Sequence, residues 1–219
     1  MIKQPLAHGQ KALSELLLVE LKNHKTVLWL ISGGSNIEVA VAIMNDLRGF
    51  EKNLIVTLSD ERYGPVGHAG SNWQQLLAAG FDHGKAQTYP VLQEGLSMAA
   101  TARMFELTLS DCLDKADVVV GQLGIGTDGH VSGILPHSPA TIDDETLVAY
   151  YVTPQFSRIT TTFYALKQID CVYSFVYGAD KKDALETLAL KKLSLAEQPS
   201  QILKNIKHAY VYNDQIGEA

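Results

Sequence analysis

Apolar positions along the chain follow two periods. Four short runs, Thr26–Ile31 (TVLWLI), Leu54–Leu58 (LIVTL), Asp117–Leu123 (DVVVGQL) and Cys171–Tyr177 (CVYSFVY), are rich in Val, Ile and aromatic residues and show little polar alternation. Such runs predict strands buried on both faces, as in a parallel sheet covered by helices on either side. Between them stand Asn36–Leu47, Met98–Leu113 and Asp180–Leu190, whose apolar residues recur at helical spacing. The Leu-rich beginning is interrupted by Glu15 and Glu20 and predicts an amphipathic helix. Leu147–Val152 and Arg158–Phe163 predict two further strands, separated by a turn at Pro154. This alternation specifies an α/β fold: a mostly parallel central sheet with helices on both faces, Rossmann-like. No repeat, low-complexity tract or Pro/Ser-rich linker interrupts it, so residues 1–219 read as one domain.

In open sheets of this kind ligands bind beyond the carboxyl ends of the strands, and each of the four runs is followed by a distinctive loop. After Ile31 comes Ser32-Gly33-Gly34-Ser35, with Glu38 three residues beyond Ser35. This reads either as a capping box opening a helix or as a turn whose free N–H groups bind an anion. After Leu58, Asp60, Glu61 and Arg62 stand adjacent, before a firm turn at Gly64-Pro65. The triplet is a solvated loop or a pocket in which Arg62 grips a phosphate or carboxylate; His68 reads as a surface histidine. After Leu123, four glycines surround Asp128 and His130. Asp128 either caps a turn or orients His130, and a neutral imidazole suits proton abstraction near neutral pH. After Tyr177, Asp180 can cap a helix whose first turn holds Lys181, where the helix dipole favours negative charge and a bound anion would resolve the mismatch. Arg158 reads as an edge-strand charge or as a further anion ligand.

Composition narrows the partners. The 219 residues, 46% hydrophobic, suffice for one sizeable core. A net charge of −6 excludes a broad basic face for nucleic acid, while a local cluster of cations can still bind a small anion. Cys112 and Cys171 read as reduced core thiols. The spacing of Asp128, His130 and His137 matches no metal site, so no metal or cofactor is expected. There is no signal-peptide pattern and no apolar run near the ~20 residues a membrane span requires. The chain therefore reads as a soluble cytoplasmic protein with no membrane partner, a monomer or weak homo-oligomer.

Together, the segments SGGS (Ser32–Ser35), DERYGPVGHAGSN (Asp60–Asn72), LGIGTDGHVSGILPHSPA (Leu123–Ala140), RITTTF and GADKK (Gly178–Lys182) resemble the 6-phosphogluconolactonase family of the sugar-phosphate isomerase/deaminase superfamily. The resemblance runs from Ile31 to Lys182. It implies a metal-independent hydrolase of the oxidative pentose phosphate pathway that opens the lactone made from glucose 6-phosphate. It also implies that Gly33, Gly34, Ser35, Asp60, Asn72, Gly124, Gly126 and Gly129 contribute to substrate binding. Arg158 and Lys181 would hold the phosphate, His130 would be the base supported by Asp128, and Arg62 would join the catalytic group. The sequence departs from the family's usual pattern at Thr153–Arg158 (TPQFSR), which lacks a lysine, and at Ser35–Glu38 (SNIE). An amino-sugar-phosphate deaminase/isomerase is the nearest alternative, but Leu135 stands where its carboxylate is expected. A non-catalytic sugar-phosphate sensor is the other.

Overall fold

Four of the apolar runs become four adjacent strands at the centre of one sheet. The protein is described by a computed structural model covering residues 1–142 and 145–217; the expected domain 1–219 also includes Asp143, Asp144, Glu218 and Ala219, which lie outside the described residues. In chain order the first half comprises β1 (Ile2–Lys3), α1 (Leu6–Lys22), β2 (Val27–Ile31), α2 (Asn36–Asp46), β3 (Leu54–Leu58), β4 (Asp60–Tyr63), α3 (Asn72–Ala78) and β5 (Gln87–Tyr89). The second half comprises α4 (Met98–Lys115), β6 (Val118–Leu123), β7 (Val148–Val152), β8 (Ser157–Thr161), α5 (Phe163–Leu166), β9 (Cys171–Val176), α6 (Lys182–Leu190) and β10 (His208–Asn213).

Seven strands form one sheet in the order β1-β10-β9-β6-β2-β3-β5, and every neighbouring pair is parallel. The chain moves outward from β2 to β3 and β5, then returns to β6 on the other side of β2. The crevice beyond β2 and β6 is thus a topological switch point, the place where such sheets bind ligands. Strands β2, β3 and β9 are buried along their whole length, which is why their sequences show no alternation. Trp29, Leu28 and Leu30 of β2 are at most 1% exposed. Each such side chain contributes roughly 1.5–3 kcal/mol by leaving water.

Helices flank this sheet. α1 buries Leu13, Leu17 and Leu21 at four-residue spacing and packs beside α2 against the sheet. α4 starts with the Ser97 hydroxyl accepting from the Ala100 N–H at 3.3 Å and buries Ala102, Phe105, Leu109 and Cys112. Burial pushes the Cys112 and Cys171 thiols up to about 11, so neither is a thiolate near neutral pH.

The two strands expected around Pro154 do form, as β7 and β8, but in a separate antiparallel sheet of order β4-β8-β7. Its third member, β4, corrects the reading of Asp60–Arg62 as a loop. The small sheet is joined to the end of the large one at Ser59, whose N–H donates to the Ile31 carbonyl and whose carbonyl accepts from the Thr161 N–H, both at 2.9 Å. This junction brings β4 and β8 to the carboxyl end of β2.

Candidate active site

The turn after β2 is fixed from both sides. The Ser32 and Ser59 hydroxyls share a buried hydrogen bond of 2.8 Å, and the Gln122 side chain donates to the Asn36 carbonyl at 2.7 Å. Gly33 passes so close to the Asn72 amide that a β-carbon there would collide with it. The capping box expected at Ser35 does not form: Ser35 is itself helical and its hydroxyl accepts no cap bond. The first N–H groups of α2 therefore keep no side-chain cap, which leaves their positive dipole end for an anion.

Strand alternation separates the three charges of Asp60–Arg62. Asp60 and Arg62 line a cleft, whereas Glu61 turns inward and is fully buried. Its carboxylate accepts from the Asn72 N–H (2.6 Å), the Arg62 N–H (2.7 Å), the Ser71 hydroxyl (2.8 Å) and the Trp73 N–H (3.1 Å). Burial raises the Glu61 pKa, and these four donors act against it. Ser71 caps α3, accepting from the Gln74 N–H at 3.1 Å; Glu61 completes that cap at the Asn72 and Trp73 N–H groups and presents Asn72 to the Asp60 carbonyl, to which the amide donates at 2.9 Å. His68 is half-buried at the surface, and its Nε2 lies 2.9 Å from the Arg62 carbonyl, tying the Gly64–Gly70 loop to β4.

After β6 the chain folds back on itself. Gly126 N–H donates to the His130 carbonyl at 2.9 Å, so this amide is committed to the turn. Asp128 accepts from the His130 N–H at 3.1 Å and lies 2.6 Å from its Nδ1. A carboxylate only accepts, so Nδ1 carries the proton and Nε2 is left basic. Burial pushes the Asp128 pKa up, but hydrogen bonding and charge from His130 prevail and hold it below the ordinary value. A β-carbon on Gly126 would occupy the space of the His130 ring and the Asp128 carboxylate. Gly126 lets the Asp–His pair sit against the backbone.

Arg158 lies on β8, directly opposite Arg62 on β4. It is 8% exposed and belongs to the middle strand of its sheet, not to an edge. Lys181 ends a short 3-10 turn and immediately precedes α6, where no side chain caps the helix, Asp180 included. No ion pair among the described residues involves Arg62, Arg158 or Lys181.

These parts converge on one cleft, which encloses about 640 Å³ with its open mouth included. Gly33, Gly34, Ser35, Asp60, Arg62, Asn72, Gly124, Gly126, His130, Arg158 and Lys181 all line it. Asp128 stands behind His130. Gly129 faces away, its carbonyl accepting from the Ser200 N–H at 2.9 Å. Sequence reading missed Ser32, Asn36, Ile125, Ser132 and Gly133, which also line the cleft. Ser32 opens the SGGS motif and Asn36 follows it, so both could have been found from it. Ser132 adopts φ +48°, with its carbonyl accepting from the Thr160 hydroxyl, and no local pattern announces that. Among the described residues, no group of three or more His, Cys, Asp or Glu side chains is placed to hold a metal ion, and no helix is long and apolar enough to cross a membrane.

The model of the family described as glucosamine-6-phosphate isomerases/6-phosphogluconolactonase matches residues 4–211. The chain belongs to this family. A 6-phosphogluconolactonase of Caulobacter vibrioides is 27% identical over 182 residues, covering 78% of this chain and 77% of that protein. One of Neisseria meningitidis is 30% identical over 179 residues, covering 73% and 72%. Among solved structures, a 6-phosphogluconolactonase from Shewanella baltica superposes with a TM-score of 0.80 at 20% identity, covering 94% of this chain and 93% of that one. A monomeric glucosamine-6-phosphate deaminase gives 0.77 at 16% identity, covering 97% and 95%. Both kinds of structure share the fold, so the choice of reaction within the family rests on the site.

Proposed function

We propose that this family member hydrolyses 6-phospho-D-glucono-1,5-lactone to 6-phospho-D-gluconate, as a cytoplasmic enzyme of the oxidative pentose phosphate pathway. The observation that carries the reading is the His130 imidazole, held by Asp128 through Nδ1, on a cleft whose three cations have no ion-pair partner among the described residues. The whole chain acts as one unit, because loops of both sheets build the same cleft.

His130 Nε2 takes a proton from water as the water oxygen attacks C1 of the lactone. The tetrahedral intermediate collapses with cleavage of the bond between C1 and the ring oxygen, which receives that proton from the imidazolium. The net change is addition of one water, and the acid formed then ionises. Asp128 keeps the ring in its productive tautomer and steadies the transient positive charge. Arg158, Lys181 and the uncapped start of α2 grip the phosphate at the other end of the sugar. Arg62 stands beside Arg158 and joins the same grip, so its place is with the phosphate more than with the reacting carbonyl. Fixing the substrate by its remote end holds C1 at the base. Asp60 and Asn72 are suited to the sugar hydroxyls.

A ring-opening deaminase is disfavoured by the cleft itself. Asp60 is the one carboxylate lining it among the described residues, and Leu135 stands where a second acid/base is expected. The test is hydrolysis of freshly generated lactone, followed by NMR with spontaneous opening subtracted. General base catalysis is worth about 10²–10⁴-fold, so His130→Ala should lose that factor in kcat while remaining folded. A folded His130→Ala protein with the wild-type rate refutes the role, and ammonia release from glucosamine 6-phosphate by the wild type supports the deaminase.

A further inference from the structure

Arg62 and Arg158 are cross-strand partners on antiparallel strands, which sets their β-carbons roughly 5 Å apart. Like charges so placed repel each other, and neither arginine has an ion-pair partner among the described residues. Something must hold both guanidiniums at the cleft before a substrate arrives. Arg62 has one fixed bond, Nη1 donating to the Gly70 carbonyl at 3.0 Å. The only ring facing either guanidinium among the described residues is Phe156, and it faces both: its centroid lies 5.3 Å from the Arg62 guanidinium carbon and 5.8 Å from that of Arg158.

We propose that Phe156 is a positioning residue, which uses the negative face of its ring to hold Arg62 and Arg158 side by side as one anion clamp. The ring sits in the turn between β7 and β8, and that turn is built to fix it. The Phe156 N–H donates to the Thr153 hydroxyl oxygen at 3.0 Å, that hydroxyl donates to the Phe156 carbonyl at 2.8 Å, and the Thr153 N–H donates to the same carbonyl at 2.9 Å. Phe156 is 38% exposed and does not line the cleft, so neither core packing nor substrate contact accounts for it. The ring quadrupole attracts both cations without neutralising them. A carboxylate in its place would occupy the clamp that the substrate needs.

The inference rests on the reading of the cleft as a site for a phosphorylated substrate, and its test separates the two. Phe156→Leu and Phe156→Trp are compared with the wild type in KM and kcat on the phosphorylated lactone, in rate on unphosphorylated gluconolactone, and in affinity for inorganic phosphate by calorimetry. Loss of the ring's attraction for two cations should raise KM and the phosphate Kd by about tenfold in the leucine variant. Its kcat and its rate on the unphosphorylated lactone should stay at wild-type values, and tryptophan should keep wild-type affinity. A leucine variant with wild-type phosphate affinity overturns the proposal, as does a tryptophan variant as weak as leucine. Equal slowing on both lactones also overturns it, because the ring would then serve the sugar. Should the leucine chain fail to fold, Thr153→Val, which loosens the turn and keeps the ring, should weaken phosphate binding; an unchanged Kd counts against the proposal. If the wild type turns over neither lactone, the lactonase reading falls, while the phosphate titrations still decide the clamp.

Discussion

In the parallel sheet β2, β3 and β9 are buried from end to end, while the small antiparallel sheet sets two arginines directly opposite each other. The first arrangement favours burial at every position and contributes its chemistry only where the strands stop. The second sets two like charges against each other across the strands, a repulsion that a bound anion offsets. The large sheet thus brings the His130 loop, the start of α2 and Lys181 to the cleft, and the small sheet brings Arg62 and Arg158.

Breaking the grip should have the largest effect. Charged hydrogen bonds are each worth about 2 kcal/mol, so Arg158→Ala combined with Lys181→Ala should reduce kcat/KM for the phosphorylated lactone by roughly 10³-fold. Thermal unfolding should change little, since neither side chain forms an ion pair among the described residues. Removing the Glu61 carboxylate attacks the small sheet's framework instead. Glu61→Ala leaves three backbone N–H groups and the Ser71 hydroxyl without their acceptor, a loss of about 3 kcal/mol that urea unfolding would register. A Glu61→Ala protein of unchanged stability would remove the capping account of α3.

Perturbing the loop of the large sheet should act on turnover more than on stability. Asp128→Ala leaves the imidazole without its orienting acceptor and should lower kcat by about 10–100-fold, with KM for the phosphorylated lactone unchanged. The smallest effect concerns acid. The folded Asp128 pKa lies below its ordinary 3.8, so its charged form adds stability above that value and loses it as pH falls through the folded pKa. The stability difference between wild type and Asp128→Asn should therefore be present at neutral pH and vanish with acidification below 3.8. A difference that persists undiminished in strong acid, where Asp128 is protonated, would contradict the pairing.

The same contrast explains what the sequence disclosed. Leu54–Leu58 was legible to the residue because a strand buried on both faces must be apolar throughout. Asp60–Tyr63 was not, since a four-residue strand of Asp, Glu, Arg and Tyr has no apolar period to detect. Its strand character comes from pairing with β8, a hundred residues away. The short β5 and the half-exposed β10 escaped for a similar reason. Asp128 and His130 were recognisable as a pair because they are local in the chain, whereas the opposition of Arg62 and Arg158 is a matter of register. Ser35 and Asp180 misled: each has the side chain of a cap, yet neither helix accepts one, and both helix starts border the cleft instead. Phe156 gave no sign at all, because a lone aromatic residue in a turn takes its meaning from what lies across the sheet.

The most direct test of the cationic grip is the ratio of kcat/KM for 6-phosphogluconolactone to that for gluconolactone, measured on the wild-type protein with spontaneous hydrolysis subtracted. Three cations with no ion-pair partner among the described residues predict a preference of roughly 10⁴-fold for the phosphorylated lactone, of which the Arg158/Lys181 double variant removes about 10³-fold. Equal rates on the two lactones would contradict it.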